Sequence, residues 1–300
     1  MDRIGKRALL TGASGFTGRY VRAELESRGY LVYGMGARTA DGSEGVEICA
    51  DLRDSEQLAS VVQDVRPNVV VHLAALAFVG HAHVNDFYEV NLVGTRNLLK
   101  ALSESGVAPE AVLLVSSANI YGNASEGTID ESVKPAPAND YAVSKLAMEY
   151  MASLWRDQLP LIVARPFNYT GVGQSANFLV PKIVDHFRRR AKSIELGNLD
   201  VWRDFSDVRF IAQVYGDLIA NREAVGQVVN VCSGVALSLR EIIMMCEEIA
   251  GYHINVKVNP DFMRANEVKT LRGDPALLRR LTGAGHGPAL RKTLEWMLAA

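Results

Sequence analysis

The chain has 300 residues, a formal net charge of -2, 48% hydrophobic and 22% charged residues, which allows one or two domains around a large core and excludes a disordered chain. No block of like charge extends beyond Arg188-Arg189-Arg190, read as a solvated helix end, so nothing points to nucleic acid or an anionic membrane as partner. Behind Arg3, Lys6 and Arg7 the apolar run is only Ala8-Leu9-Leu10, too short for a signal-peptide core, and no stretch approaches a membrane span. Cys49, Cys232 and Cys246 are scattered, without a C-x-x-C pair, and read as buried thiols in a reducing cytoplasm. His81 and His83 have no third ligand at metal-site spacing, and no metal is expected.

Arg7 to Leu10 is a short β-like run entering Thr11-Gly12-Ala13-Ser14-Gly15-Phe16-Thr17-Gly18, and a helical pattern follows with Tyr20, Val21 and Leu25 inward and Gly29 as terminator. In such a strand, turn and helix the glycines let the backbone approach a ligand, and the helix N-terminus offers unpaired N–H groups and a positive dipole end to a pyrophosphate. The second strand, Tyr30 to Gly34, ends without the Asp or Glu that would bind the adenosine 2'-hydroxyl of NAD, and Arg38 follows. A guanidinium there can pair with a 2'-phosphate, which favours NADP(H) over NAD(H); the alternative is a solvated loop arginine. A third run, Val46 to Cys49, leads to Asp51-Leu52, where Asp51 otherwise reads as a cap before a helix from Glu56 to Val65.

Val69 to Leu73 is a continuous apolar run, as in a strand buried on both faces, and the small Ala74-Ala75 behind it permits close approach of a cofactor. A helix holds Asn91 and continues to Ser105. Ala111 to Val115 presents Ser116 and Ser117, followed by Asn119. Then comes Asn139-Asp140-Tyr141-Ala142-Val143-Ser144-Lys145. With Asp140 as N-cap, Tyr141 and Lys145 share one helical face, and an ammonium beside a phenol lowers a pKa near ~10 toward the working range. Of the ten tyrosines only Tyr141 has Lys four residues on, which separates the pair from a merely solvated face.

Tyr-x-x-x-Lys, the upstream Ser and the N-terminal Thr-Gly-x-x-Gly-x-x-Gly together resemble the short-chain dehydrogenase/reductase superfamily, in its extended, sugar-nucleotide-modifying branch. The resemblance implies catalytic roles for Ser117, Tyr141 and Lys145. It also implies dinucleotide contacts from Gly12, Ser14, Gly15, Phe16, Thr17, Gly18, Arg38, the adenine-facing pair Asp51 and Leu52, then Leu73, Ala74, Ala75, Asn91, Tyr141, Lys145 and Pro166. Asn91 would support the active-site backbone. Asn119 stands where 4,6-dehydratases of the branch carry an acid that removes a proton at C5, which an amide cannot do. The loop Ala77-Phe78-Val79-Gly80-His81 lacks the Ser that many relatives carry.

A strand from Leu161 to Arg165 runs into Pro166-Phe167-Asn168, which looks like the crossing from cofactor domain to substrate domain. Asn177 to Lys182 and Gly197 to Phe205 resemble the group of GDP-mannose dehydratases and GDP-4-keto-6-deoxymannose reductases. By that resemblance Ser117, Asn119, Asn168, Val180, Lys182, Arg203, Arg264 and Glu267 would meet a nucleotide-diphosphate sugar; as bare residues, Lys182 and Arg203 could equally be surface charges. Asp207 caps a helix from Val208 to Ala220, Val228 to Cys232 is the last sheet strand, and Ser238 caps a helix from Leu239 to Ala250. A further helix ends at Leu281-Thr282-Gly283.

The alternation predicts an α/β fold, a Rossmann-type doubly wound parallel sheet with a smaller, discontinuous C-terminal substrate domain. Residues 1–167 plus 208–236 would bind the dinucleotide, and 168–207 plus 237–300 the nucleotide sugar. The activity expected from the resemblance is NAD(P)H-dependent reduction of the C4 ketone of a GDP-linked 4-keto-6-deoxyhexose, giving a rhamnose-type or talose-type product, in the cytoplasm, and the same resemblance implies a homodimer through the Asn91 and Tyr141 helices. The alternatives are a thymidine-linked substrate, a 4-epimerase or dehydratase with tightly held NAD, and a non-catalytic dinucleotide sensor.

Overall fold

A computed structural model describes residues 5–37, 45–77, 83–122, 127–262 and 269–300; Arg38, Arg264, Glu267 and residues 78–81 lie outside them. β1 (Arg7–Thr11) passes through the glycine turn into α1 (Phe16–Ser27), followed by β2 (Leu31–Gly36), β3 (Val46–Cys49), α2 (Ser55–Val65) and β4 (Val69–His72). Next come α3 (Asn85–Tyr88), a π-helical turn (Glu89–Gly94), α4 (Thr95–Glu104), β5 (Ala111–Val115), β6 (Thr128–Ile129), α5 (Asp140–Ala152) and β7 (Leu161–Pro166). β8 (Asn168–Thr170), α6 (Leu179–Arg188), β9 (Ser193–Leu196) and β10 (Trp202–Asp207) precede α7 (Val208–Ala220) and β11 (Val228–Val231). The chain ends through β12 (Ala236–Ser238), α8 (Leu239–Ala250), β13 (Asn255–Val258), β14 (Thr270–Gly273), α9 (Ala276–Thr282) and α10 (Leu290–Ala299).

Seven strands make one parallel sheet in the order β11-β7-β5-β4-β1-β2-β3. Every residue of β4, β5 and β7 is buried, because helices cover both faces. Leu10, Leu25, Val71, Leu113, Ile211 and Leu218 pack on one side, and Leu9, Leu58, Val70, Leu98, Leu114 and Met148 on the other. This is the Rossmann-type doubly wound sheet expected. Its direction of winding reverses between β1 and β4, and ligands of such sheets bind beyond the carboxyl ends at that switch point. A separate apolar core, with Val180, Ile183, Phe187, Ile242, Cys246 and Leu294, lies among α6, α8 and α10.

One buried carboxylate ties the second core to the sheet. Asp204 of β10 accepts hydrogen bonds from Ser233 N (2.9 Å), Ser233 Oγ (2.6 Å), Gly234 N (2.9 Å) and Gly273 N (3.3 Å). Burial pushes its pKa up, and these bonds oppose the shift.

Several local expectations are corrected. β2 runs to Gly36 because it pairs with β1 through Met35 and with β3 through Gly36. The helix through Asn91 is interrupted by the π turn, whose Gly94 lies against Leu52; a Cβ there would come within 2.8 Å of the leucine's Cβ. α2 is capped by Asp54, not Asp51, and α5 by Asn139, not Asp140. Cys49 is exposed, as the last residue of an edge strand, whereas Cys232 and Cys246 are buried. No helix among the described residues is long and apolar enough to cross a membrane.

Replacing Asp204 by Ala leaves three N–H groups, that of Gly273 buried and those of Ser233 and Gly234 half-buried, without their acceptor and should lower stability by about 3 kcal/mol. Urea unfolding measures this, and a loss under about 1 kcal/mol would contradict the role given to the carboxylate.

Candidate active site

At the switch point the chain turns from β1 into α1. Gly12 adopts φ +71, and a Cβ on it would lie 2.9 Å from Ala74 N; a Cβ on Gly18 would lie 2.2 Å from Gly12 O. Only glycine lets the turn close against the end of β4 in this way. Ser14 and Gly15 are exposed, and no side-chain hydrogen bond caps the start of α1, which leaves its first N–H groups without a side-chain acceptor, as an anion cradle would require. Phe16 stacks on Tyr169 with ring centroids 6.2 Å apart, and Thr17 Oγ1 lies 2.9 Å from the Tyr169 hydroxyl. Leu73, Ala74 and Ala75 are half-buried behind the turn, and Pro166 is buried at the end of β7. Asp51 receives the guanidinium of Arg53, which holds its carboxyl below the usual range, while Leu52 is buried in the core under α2.

Ser117, just past β5, and Tyr141 and Lys145, one turn apart on α5, are brought together and buried. The Ser117 side chain lies beside the Tyr141 phenol and favours its charged form, and Ser117 Oγ accepts from Asn119 N at 3.2 Å. Ser116 instead donates its N–H to Ala164 O at 2.7 Å, beside β7. Asn139 caps α5 by accepting from Ala142 N (2.9 Å), while Asp140 accepts from the Tyr88 hydroxyl (2.7 Å). Asn91 is buried; its carboxamide donates to Ser144 Oγ (3.0 Å) and Leu76 O (3.1 Å) and accepts from Leu76 N (2.8 Å). Ser144 donates in turn to Tyr141 O at 2.8 Å.

The electrostatics differ from the expectation. Burial pushes the Tyr141 phenol up to about 12, against the opposing influence of Ser117. Burial also pulls Lys145 down to about 8, against the attraction of Glu149. Lys145 Nζ donates to Val115 O at 2.7 Å rather than serving the phenol. Helical spacing places both groups on one face; it carries no information about the desolvation that dominates here.

Beside Ser117 a cavity of about 40 Å³ is lined by Asn119, Asn168, Ala118, Pro166, Phe167 and Leu271. Asn168 Nδ2 donates to Asp204 O at 3.3 Å. Three other expected contacts are drawn elsewhere. Val180 is buried in the second core, Lys182 Nζ donates to Glu195 O (2.9 Å) over the Phe262 ring, and Arg203 donates to Trp202 O (2.9 Å).

His72 was hidden in the sequence by its apolar neighbours. It is buried at the end of β4, with Nδ1 2.7 Å from Thr11 Oγ1 and Nε2 2.9 Å from Thr95 Oγ1. Burial, with the nearby Lys145 charge, pulls its pKa down to about 3. The only signal available was a lone polar residue closing a buried strand.

The NAD dependent epimerase/dehydratase family matches residues 8–232. The chain belongs to this family, within the extended short-chain dehydrogenases/reductases, and is an oxidoreductase of that class. It is 37% identical to GDP-6-deoxy-D-talose 4-dehydrogenase of Aggregatibacter actinomycetemcomitans over 97% of this chain and 96% of that one. It is 33% identical to GDP-6-deoxy-D-mannose reductase of Pseudomonas aeruginosa over 98% and 96%. The solved structure of RMD from Pseudomonas aeruginosa complexed with NADPH is similar with a TM-score of 0.84 and 31% identity, over 99% and 97% of the two chains.

The neutral His72 sets the sign of one pH effect. Below its ordinary value of 6.5 the unfolded chain takes up a proton that the folded chain refuses until about 3. Relative to a His72→Gln variant, the native protein should therefore lose up to about 1.4 kcal/mol of stability per pH unit on acidification through that window. Urea titrations of both proteins measure the difference, and a difference independent of pH would contradict a buried neutral imidazole.

Proposed function

We propose that the protein reduces the C4 ketone of a nucleotide-linked 4-keto-6-deoxyhexose, with GDP-4-keto-6-deoxy-D-mannose as substrate. The observation that carries this reading is the buried Tyr141 phenol beside Ser117, next to a cavity whose lining, among the described residues, includes Asn119 but no carboxylate. Such a site has a proton to give and, among the described residues, no base to take one from C5, which favours ketone reduction over dehydration. The two GDP-sugar relatives named for chemistry at 6-deoxyhexoses support the substrate class.

The residues fit a dinucleotide: Gly12 clears the way to Ala74, and the uncapped start of α1 with exposed Ser14 and Gly15 suits a pyrophosphate. Phe16, Thr17, Gly18, Asp51, Leu52, Leu73, Ala75 and Pro166 would complete that seat. When bound, the nicotinamide supplies the hydride. NADPH is preferred, because β2 ends in Met35-Gly36 without an acid to repel a 2'-phosphate, and a similar protein is known in complex with NADPH.

Tyr141 donates its proton to the C4 oxygen as charge grows there, and Ser117 holds that oxygen by a hydrogen bond. Lys145, mostly protonated at neutral pH, supplies a positive field and a donor for the cofactor ribose. Asn119 and Asn168 would meet the sugar and its diphosphate. Val180, Lys182, Arg203, Arg264 and Glu267 would serve the nucleotide, with Lys182 and Arg203 leaving their present carbonyl partners. The pieces 168–207 and 237–300 would act together as the substrate-binding part. A homodimer through the helices of Asn91 and Tyr141 is part of the proposal, supported by the exposed Tyr150 (67%) and Leu154 (75%) on and just beyond α5.

Loss of NADPH absorbance with the GDP-linked keto sugar, beside the thymidine-linked one and an NADH control, tests substrate and cofactor together. Turnover of the thymidine sugar alone would overturn the base, and turnover without added reductant would overturn reduction. Tyr141→Phe should lower kcat by about 10²- to 10⁴-fold while the NADPH Kd stays within about threefold. A parallel loss of both would contradict the acid role. Tyr150→Glu with Leu154→Glu should yield monomers in sedimentation; an unchanged mass would remove α5 from the interface.

A further inference from the structure

We infer that His72 is a positioning residue, held as the neutral Nε2–H tautomer, that sets the distance between the glycine turn seating the cofactor and the helix carrying Tyr141 and Lys145. The inference rests on the reading above only in taking the cofactor to be a nicotinamide dinucleotide.

The tautomer follows from counting protons. A threonine hydroxyl has one proton to give, and Thr95 Oγ1 gives it to Asn91 O at 2.7 Å. Thr95 can therefore only accept from His72, so the ring carries its proton on Nε2. A neutral imidazole has one N–H, which leaves Nδ1 as an acceptor. Thr11 Oγ1 donates to it, and Thr11 Oγ1 itself accepts from Ala74 N at 3.1 Å. The bonds run one way from the Ala74 amide through Thr11, His72 and Thr95 to the Asn91 carbonyl. Every donor along this path has an acceptor. A cationic ring would set a second N–H against Thr11 and turn the threonine's proton out of the chain.

Each end of the chain meets a working part of the site. The Ala74 amide nitrogen is the atom that a Cβ on Gly12 would meet first, at 2.9 Å, so the glycine turn packs against it. At the other end, Asn91 holds Leu76 and passes through Ser144 to the Tyr141 carbonyl. Segment 74–76 is thus held by Thr11 on one side and by Asn91 on the other. His72 is the rigid spacer between these two anchors. Its loss would let the turn drift against α5, which weakens the seat of the dinucleotide and misaligns it with the phenol, while the sugar side is left largely intact.

The tautomer is read directly by long-range ¹H–¹⁵N correlation on protein labelled at histidine nitrogens. One neutral Nε2–H spin system for His72, unchanged across the neutral pH range, is expected; an Nδ1–H or cationic ring would overturn the assignment. Thr95→Val removes the acceptor of the Nε2 proton, and Thr95→Ser returns it. Thr95→Val should weaken NADPH binding about tenfold, shift the His72 resonances, and leave the sugar KM within about threefold, with Thr95→Ser restoring both signals. His72→Gln should show an equal or larger loss of cofactor affinity. An unchanged NADPH Kd in Thr95→Val would overturn the spacer role. Cofactor binding is measured without sugar, so an inactive enzyme with the expected tautomer and Kd shifts would count against the substrate reading alone.

Discussion

The geometry of the site depends on the buried carboxamide of Asn91. It satisfies both polar groups of Leu76 and the hydroxyl of Ser144, and thereby fixes the segment after β4 against the helix of Tyr141. A buried amide left without partners costs more than its bonds contribute when made, so the three parts can meet in few other ways. The π turn from Glu89 to Gly94 surrounds this residue, and such irregular turns recur at functional sites. The parallel sheet beneath supplies rigidity: β1 and β4 pair from Ala8 and Val69 to Thr11 and His72, so the switch point cannot open without breaking the ladder.

Burial gives the site its chemical direction. A phenol and an ammonium removed from water each shift toward the neutral form, Tyr141 upward and Lys145 downward. For a reaction that ends with a proton on the substrate oxygen, a phenol that keeps its proton is the useful state. Glu149 attracts the Lys145 ammonium and opposes its further neutralisation. Glu149 is itself paired with Arg165, which bonds the Tyr121 hydroxyl. The electrostatic support of Lys145 therefore reaches from α5 into β7.

Much of this was legible in the sequence. The Val208–Ala220 and Leu239–Ala250 helices and their caps Asp207 and Ser238 stand as expected, since a side-chain acceptor ahead of an apolar period is a local signal. The buried strands β4, β5 and β7 were visible as apolar runs. Where two capping residues stand side by side or close together, as with Asn139 and Asp140 or Asp51 and Asp54, composition does not choose between them; backbone geometry does. His72 was read as one more member of an apolar strand, because its partners Thr11 and Thr95 lie 61 and 23 residues away. The direction of the Tyr141 shift was read from its neighbour Lys145, whereas desolvation, which no spacing reveals, decides it.

The account stands or falls on net hydride delivery to C4. NADPH deuterated at its transferable position, turned over with GDP-4-keto-6-deoxymannose, should leave one deuterium at C4 of the product per cofactor consumed, as mass spectrometry and NMR would read. Product without deuterium, formed while the NADPH is spared, would mean that hydride is recycled on a retained cofactor and would contradict the reductase reading.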